Sequence, residues 1–271
     1  MSDSTPSTVA QTLVIEGPDA IPFAQGQFTS AVSSMATGHW QFSAWLDAQG
    51  RVRHFFQLAK LAPDHLVLLL RGGHAEAMKN DLARFVFRAK VSMRADDSRF
   101  VERGAALAMH RMQDADGALR FGCGDYSLVL SPQPGASDSW RAAQVKAGWP
   151  WLPDALQGIF LPPALSLHRL QAVSLEKGCY PGQEIVARLH YRGGSKRRLC
   201  RVGLSQHVPA GTSLGEGDGG ATVQLLDVVG TEHGVEALAI CQADSTGMRM
   251  PLSAIHAGRS ISLDCLETWP A

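Results

Sequence analysis

The chain has 271 residues, of which 45% are apolar and 18% charged, and its 25 Lys+Arg balance 25 Asp+Glu to leave no net charge. That is enough apolar material for a core and too little charge for a disordered chain. A neutral chain exerts no global pull on nucleic acid or a membrane surface, so either partner would need a local patch.

At roughly 150 residues per domain the length suggests about two domains, with three small ones as the alternative. Cys123, Cys179, Cys200, Cys241 and Cys265 are odd in number, widely spaced and free of any C-x-x-C pair. This spacing predicts neither a zinc knuckle, a thioredoxin-type pair nor a disulfide framework. All five thiols are expected to be reduced, in a cytoplasmic setting. The first ten residues read as a flexible tail with neither the basic nor the apolar region of a secretory signal. The longest apolar run, Leu66 to Leu70, is far short of the ~20 residues of a membrane helix.

In chain order, Thr12 to Ile15 reads as a strand. Gly17-Pro18-Asp19 then opens a helix carrying Ile21 and Phe23. Trp40, Phe42, Ala44 and Leu46 alternate, Asp47 to Gly50 turn, and Val52, His54, Phe56 and Leu58 resume the alternation, which predicts an antiparallel hairpin. His65 to Leu70 reads as a more buried strand. Ala75, Met78, Leu82 and Phe85 have helical spacing. Val86 to Met93, Phe100 to Ala108 and Ser127 to Leu130 are further strand candidates, giving an α+β pattern. Ser131 to Ser137 is a loop. Ser139 to Ala147 reads as a helix capped by Ser139 and closed by Gly148 in the left-handed conformation. Phe160 to Pro163 reads as extended and Leu165 to Leu170 as a short helix. After Gly194 come short alternating runs, Ala221 to Val229, Val235 to Ile240 and Ser260 to Leu266, with Ile261, Leu263 and Cys265 on one face. They predict a small barrel of about six strands, starting near Arg192 to Arg198.

The chemistry concentrates in Lys177-Gly178-Cys179-Tyr180-Pro181-Gly182-Gln183-Glu184. Pro181 and Gly182 favour a turn into a helix over Gln183 to Tyr191, with Ile185, Val186 and Leu189 as its apolar stripe and Gly193-Gly194 as its end. Glu184 and Arg188 stand four apart, in the order that favours an ion pair. Cys179 then precedes a helix N-terminus, with Lys177 nearby, and such surroundings can bring a cysteine pKa from ~8.5 to roughly 3.5–7.5. The opposing reading is a small buried cysteine in a tight turn. The run holds almost no core-forming residue, which favours a reactive site.

This segment, with Ile185-Val186-Ala187-Arg188 after it, resembles the K-G-C-Y-x-G-Q-E signature of the YgfZ family of folate-binding proteins. Gln25-Gly26-Gln27-Phe28-Thr29, Arg88-Ala89-Lys90-Val91, Arg141, Gly148, Pro150 and Phe160-Leu161-Pro162 extend the resemblance from about Gly17 into the barrel. The family is related in fold to the T-protein of the glycine cleavage system, an aminomethyltransferase. The resemblance implies two α+β domains of T-protein type and a C-terminal antiparallel β-barrel around a central channel. On this division the domains are 1–15 plus 96–195, carrying the cysteine motif; 16–95, with an antiparallel sheet; and the barrel, 196–271. It also implies tetrahydrofolate, or a one-carbon-substituted folate, as cofactor. The implied role is in making or maintaining iron–sulfur clusters in particular enzymes, including some that modify tRNA. The implied partners are iron–sulfur proteins or their assembly machinery, without stable membrane association or direct nucleic-acid binding. Pro163, Ser166 and His168 depart from the usual Gln, Asn and Asp, and Ser30 departs from the common pattern after Q-G-Q-x-T.

T-proteins carry an acidic pair in the strand after the first hairpin turn. Here that stretch is Gly50-Arg51-Val52-Arg53-His54-Phe55, with no carboxylate. Arg53 and His54 cannot replace the acid, because a cation opposes the cationic nitrogen that aminomethyl transfer develops. His54 reads better as a packed histidine than as a base. A T-protein-like aminomethyltransferase is therefore the alternative function, and a folate-sensing scaffold with a structural cysteine is a third.

A pterin needs a stacking surface and an amide or carboxylate at its N–H edge. Tyr180 or Trp151 could stack, and Gln183 or Glu184 could meet the edge. Arg188 lies on the same helix, and Arg192, Lys196 or Arg197 could meet the anionic tail. Core packing is the competing role for Trp149 and Trp151. Cys179 and Lys177 are the candidate catalytic residues. Gly215 to Gly220 satisfies G-x-G-x-x-G, but a strand follows it, so it reads as a hairpin loop. The basic cluster from Arg192 to Arg201 lacks the aromatic interleaving of single-strand binders and reads as a solvated hinge. The ten histidines show no metal-ligand spacing.

Overall fold

Alternating apolar runs pair into two antiparallel sheets in the computed structural model, which describes residues 7–115, 117–135, 138–193, 195–215, 222–244, 247–249 and 253–271. In chain order the elements are β1 (Val9–Glu16), α1 (Ala20–Gln27), β2 (His39–Leu46), β3 (Val52–Ala62), β4 (His65–Leu70), α2 (Ala75–Ala83), β5 (Ser92–Gly104), β6 (Met112–Ala115), β7 (Ala118–Gly122) and β8 (Ser127–Ser131). There follow α3 (Ser139–Ala147), α4 (Gln183–Arg192), β9 (Arg197–Leu204), β10 (Ser213–Gly215), β11 (Thr222–Thr231), β12 (Gly234–Asp244), β13 (Gly247–Arg249), β14 (Ser253–His256) and β15 (Arg259–Thr268). The α+β class holds, with both sheets antiparallel.

The chain divides into two compact units: Met1–Leu46, His54–Trp140 and Gln171–Pro181 form the first, and Asp47–Arg53, Arg141–Leu170 and Gly182–Ala271 the second. In the first, eight strands run in the order β2-β3-β4-β1-β5-β8-β7-β6. Leu13 and Ile15 of β1 and Leu66, Leu68 and Leu70 of β4 point to one face, where α1 (Ala20, Phe23, Ala24) and α2 (Ala75, Met78, Leu82) cover them. The Leu, Ile, Phe and Met side chains among them each contribute about 1.5–3 kcal/mol when fully buried. The hairpin strands β2 and β3 lie where the alternation predicts, but β2 is buried on both faces from Phe42 onward.

Several expectations are corrected. Val9 and Ala10, expected in a flexible tail, belong to β1, paired with Phe100 and Arg99, and residues 1–6 of that expected tail lie outside the described residues. The α2 helix ends at Ala83, so Phe85 lies on the following turn, 42% exposed. In place of the separate strands expected at Val86 to Met93 and Phe100 to Ala108, one strand, β5, runs from Ser92 to Gly104, and residues 86–91 and 105–108 lie outside it. Pairing with β1 holds its polar stretch Arg94 to Arg99 extended, and β8 pairs with Phe100 to Gly104, so tertiary pairing overrides local propensity. The β6–β7 hairpin was not expected at all; Gln113 and Asp114 hide its alternation. Pro162–Leu165 is a 3-10 turn, ending in Ser166 at φ 53°, where an extended stretch and then a helix were expected. In place of capping from outside, Ser139 is the first residue of α3. Gly148 is left-handed as expected, at φ 66°, and a Cβ there would meet the Trp269 ring at 2.7 Å.

In the second unit the strands run β10-β11-β12-β9-β15-β14, with β13 paired to β12. The end strands β10 and β14 lie in contact, so the sheet curls into a nearly closed barrel around Val202, Leu225, Ala239 and Ile261. Two thiol expectations change here. The register puts Cys200 opposite Ala239, two residues from Cys241, and the two cysteines form a disulfide with Cα atoms 6.6 Å apart. Strand pairing across 41 residues makes this bridge, and the spacing in the sequence gives no sign of it. Cys265 is exposed and does not share the inward face of Ile261 and Leu263, because the β9–β15 register shifts between Cys265 and Glu267. The Gly215–Gly220 loop beyond Gly215, the start of the run at Ala221, Ala136 and Ser137 of the Ser131–Ser137 loop, and Gly194 lie outside the described residues. No helix among the described residues is long and apolar enough to cross a membrane.

Candidate functional site

Two distant sequence segments build the Lys177 environment inside the first unit. After α1 the chain becomes extended at Phe28 and Thr29, which run alongside β2 and reach Ala172 and Ser174. The Thr29 hydroxyl accepts the Ala44 N–H at 2.9 Å and donates to the Ala172 carbonyl at 2.6 Å. The Ser174 N–H donates to the Thr29 carbonyl at 2.8 Å. Upstream, Gln25 Oε1 accepts the Val32 and Ser33 N–H groups at 2.8 and 3.0 Å and fixes the turn that follows. With both strands of this crossing pinned, Lys177 Nζ donates to the Phe28 carbonyl and, at 3.0 Å, to the Ser30 carbonyl. The same ammonium lies 5.2 Å from the Tyr180 ring centroid, within cation–π reach.

Burial sets the chemistry of this pair. It pushes the Lys177 amine down from its ordinary 10.5 to about 8, and the Tyr180 phenol up to about 12. Tyr180 is 6% exposed, and its hydroxyl is buried with no hydrogen-bond partner among the described residues. Such an unsatisfied group costs about 1–3 kcal/mol. Cys179, between them in sequence, is exposed. The other two free thiols differ: Cys123 is buried and pushed up to about 11 by that burial, and Cys265 is exposed on the barrel.

The Lys177 amine yields a pH signature. Its folded pKa lies below its unfolded value, so between pH 8 and 10.5 the unfolded chain binds the extra proton and stability rises with pH. We expect the unfolding free energy of the wild type to rise through that window relative to Lys177→Met, measured by urea unfolding at successive pH values. A flat difference would contradict the burial of this amine.

The chain passes into the second unit between Pro181 and Gly182. Gly182 is the N-cap of α4, left-handed at φ 75°. A Cβ there would stand 2.5 Å from the Asp47 carbonyl and 2.9 Å from the Gly50 nitrogen. This glycine of the motif is thus demanded by backbone packing. We expect Gly182→Ala to cost roughly 2–4 kcal/mol, from left-handed strain plus overpacking, in chemical denaturation.

Gln183, Glu184 and Arg188 follow on α4, which ends at Gly193 as expected. Val186 alone of its apolar stripe is fully buried; Ile185 and Leu189 are partly covered. Glu184 and Arg188 are both exposed and, contrary to their spacing, form no ion pair, in keeping with the small gain such surface pairs offer. Trp151 is partly buried with the Arg141 guanidinium 5.9 Å from its ring, while Trp149 is packed at 8% exposure. Arg141 itself pairs with Asp227 of the barrel. Of the departures from the family pattern, Ser166 donates to the Pro270 carbonyl at 2.6 Å, and His168 is lowered by burial and then by the adjacent His190 ring, 5.1 Å away.

The structure therefore brings Lys177 and Tyr180 together in one unit with Cys179 between them in sequence, and carries Gln183, Glu184, Arg188 and Trp151 in the other. Sequence reasoning missed the carbonyls of Phe28 and Ser30. Backbone acceptors leave no mark in residue types, although the Gln25–Thr29 segment that supplies the anchor was visible. At the position where an acid would serve aminomethyl transfer, Arg53 is exposed and His54 is 4% exposed with its ring stacked 6.0 Å from Trp45, the packed role expected of it.

No family model matches the chain. It is 31% identical over 233 residues to the tRNA-modifying protein YgfZ of Pectobacterium carotovorum subsp. carotovorum, covering 73% of this chain and 70% of that one. An uncharacterized protein of Haemophilus influenzae is 30% identical over 221 residues, covering 79% of each chain. Among solved structures, the glycine cleavage system aminomethyltransferase T from Bartonella henselae matches with a TM-score of 0.65 at 14% identity, over 95% of this chain and 85% of that one. At that identity the likeness is one of fold.

Proposed function

The chain belongs to the YgfZ family of tRNA-modifying proteins, and from that premise we propose that it is a tetrahydrofolate-binding accessory protein that supports iron–sulfur enzymes, with Cys179 as its working thiol. The observation that carries the folate reading is the Tyr180 hydroxyl, buried with no partner among the described residues, on a ring whose face meets the Lys177 ammonium. A buried phenol left in that state is explained by a ligand that completes its hydrogen bond. The remaining groups fit a folate in kind. Trp151 offers a second aromatic surface, Gln183 and Glu184 an amide and an exposed carboxylate for the pterin edge, and Arg188 an exposed cation.

Tetrahydrofolate, when bound, supplies a reduced pterin able to give up electrons or to carry a one-carbon unit. The chain's own contribution is to hold Tyr180 by packing, to fix Lys177 through two carbonyls, and to leave the Cys179 sulfur open to a partner. The absence of a carboxylate at Arg53–His54 speaks against T-protein chemistry and for the accessory role. The division into two α+β domains and a barrel around a channel, and the cytoplasmic setting, belong to the same proposal.

Titration with tetrahydrofolate, followed by tryptophan fluorescence, tests this reading. Saturable binding is expected in the wild type. Tyr180→Phe should leave the free protein at least as stable while weakening binding about 3–10-fold, the worth of one hydrogen bond. Absence of binding at millimolar folate would refute the proposal.

A further inference from the structure

We propose that the second unit holds a separate site for a small carboxylate borne on an aryl or short alkyl body. A cleft of about 250 Å³ opens there between the Ile159–Ala164 segment, the last turn of α4 and the start of β9. Its walls are apolar: Phe160, Pro163, Leu189 and Ile159 supply most of them. Phe160 is buried, yet Ile159 is left 43% exposed at the edge, a large apolar side chain in water with no cover from the fold.

The mouth is cationic. Lys196 and Arg197 both line it, both are exposed, and neither has a carboxylate partner among the described residues. No acidic side chain lines the cleft. In a chain of zero net charge, two cations without a counter-charge beside an apolar cavity mark a local preference for an anion. The geometry holds one of them in place. The Ser195 hydroxyl donates to the Arg197 carbonyl at 2.7 Å and accepts the Arg197 N–H at 3.3 Å, which tightens the turn into β9. The Arg197 guanidinium then sits 5.6 Å from the Phe160 ring centroid, over the aromatic wall. An Arg set over an aromatic face can still offer N–H groups to a planar carboxylate.

Size limits the ligand. An apolar cavity of about 150 Å³ accepts benzene, and drug-sized ligands need about 300–1,000 Å³. A cleft between these holds one ring or a short chain, with the acid at the mouth. None of Cys179, Lys177, Tyr180, Gln183, Glu184, Arg188 and Trp151 lines the cleft; of the cations considered for the folate tail it takes Lys196 and Arg197, and the test without folate reads the cleft by itself.

The test uses the full chain without folate, titrated with 3-phenylpropionate and with the neutral 3-phenylpropanol, and followed by methyl NMR. The expected result is saturable shifts of the Ile159 and Leu189 methyls, with the acid binding at least tenfold tighter than the alcohol at low salt. The Lys196→Gln/Arg197→Gln variant should erase that preference and leave alcohol binding unchanged, which also shows that the cleft remains folded. Equal affinity for acid and alcohol in the wild type, or shifts that miss Ile159 and Leu189 up to the solubility limit, would overturn the proposal.

Discussion

Cys179→Ala is expected to reduce the activity of dependent iron–sulfur enzymes in cells at least tenfold while leaving the protein folded and able to bind folate. The expectation rests on where the sulfur stands. Its neighbours in sequence are fixed by burial: Tyr180 is 6% exposed, and Lys177 is tied to the Phe28 and Ser30 carbonyls. Cys179 itself is exposed. A side chain open to solvent contributes little packing, so its loss should shift stability by no more than about 0.5 kcal/mol. A functional loss without a stability loss is therefore the signature of a working thiol. Cys265→Ser is the matched control, because it removes another exposed thiol, on the barrel. Thermal melts and tetrahydrofolate titration of each variant, beside iron–sulfur enzyme assays in complemented cells, separate the outcomes. Unchanged enzyme activity with Cys179→Ala would leave a folate-binding protein whose cysteine is incidental.

The sequence carries most clearly the features written in side-chain alternation. The β2–β3 hairpin, the buried β4, the α4 boundaries at Gly182 and Gly193 and the main barrel strands all follow from apolar period and glycine placement. Where pairing partners decide the outcome, local reading fails. Arg94 to Arg99 make an unpromising strand until β1 pairs with them, and β8 takes over the same strand only from Phe100. The β6–β7 hairpin carries polar residues on its open face and gives no period to read. Cys200 and Cys241 meet through the β9–β12 register, a relation between residues far apart in the chain. The candidate site divides in the same way. Lys177, Cys179 and Tyr180 stand out by chemistry, as does Gln25 to Thr29, but the link between the segments runs through the Thr29 hydroxyl and four backbone carbonyls. Glu184 and Arg188 show the converse: favourable spacing predicts an ion pair that two exposed side chains do not make.

Arg141→Ala is expected to destabilise the protein by about 3–5 kcal/mol, a larger effect on stability than any change to the cysteine motif outside Gly182. Asp227 lies on the barrel strand β11 with only 3% of its side chain exposed, and the Arg141 guanidinium meets its carboxylate from α3. Taking away the guanidinium removes a charge partner from a carboxylate that water barely reaches, and the desolvation cost is then less fully offset. The pair is asymmetric. Arg141 is 22% exposed and can turn toward solvent, so Asp227→Ala should cost less than Arg141→Ala. Asp227→Asn in the Arg141→Ala background should recover part of the loss, because it removes the buried charge while keeping the side-chain volume. Arg141→Lys should fall between, since it keeps the charge but gives up the planar fork. The same guanidinium lies against Trp151, so tryptophan emission should change along with stability. Urea midpoints at constant m-value measure the series. A cost below 1 kcal/mol for Arg141→Ala would mean that the contact is incidental to the barrel. The expected ranking would assign to structure a residue that the sequence marks only as part of a family resemblance, and would leave Trp151 as a folate candidate whose position depends on it.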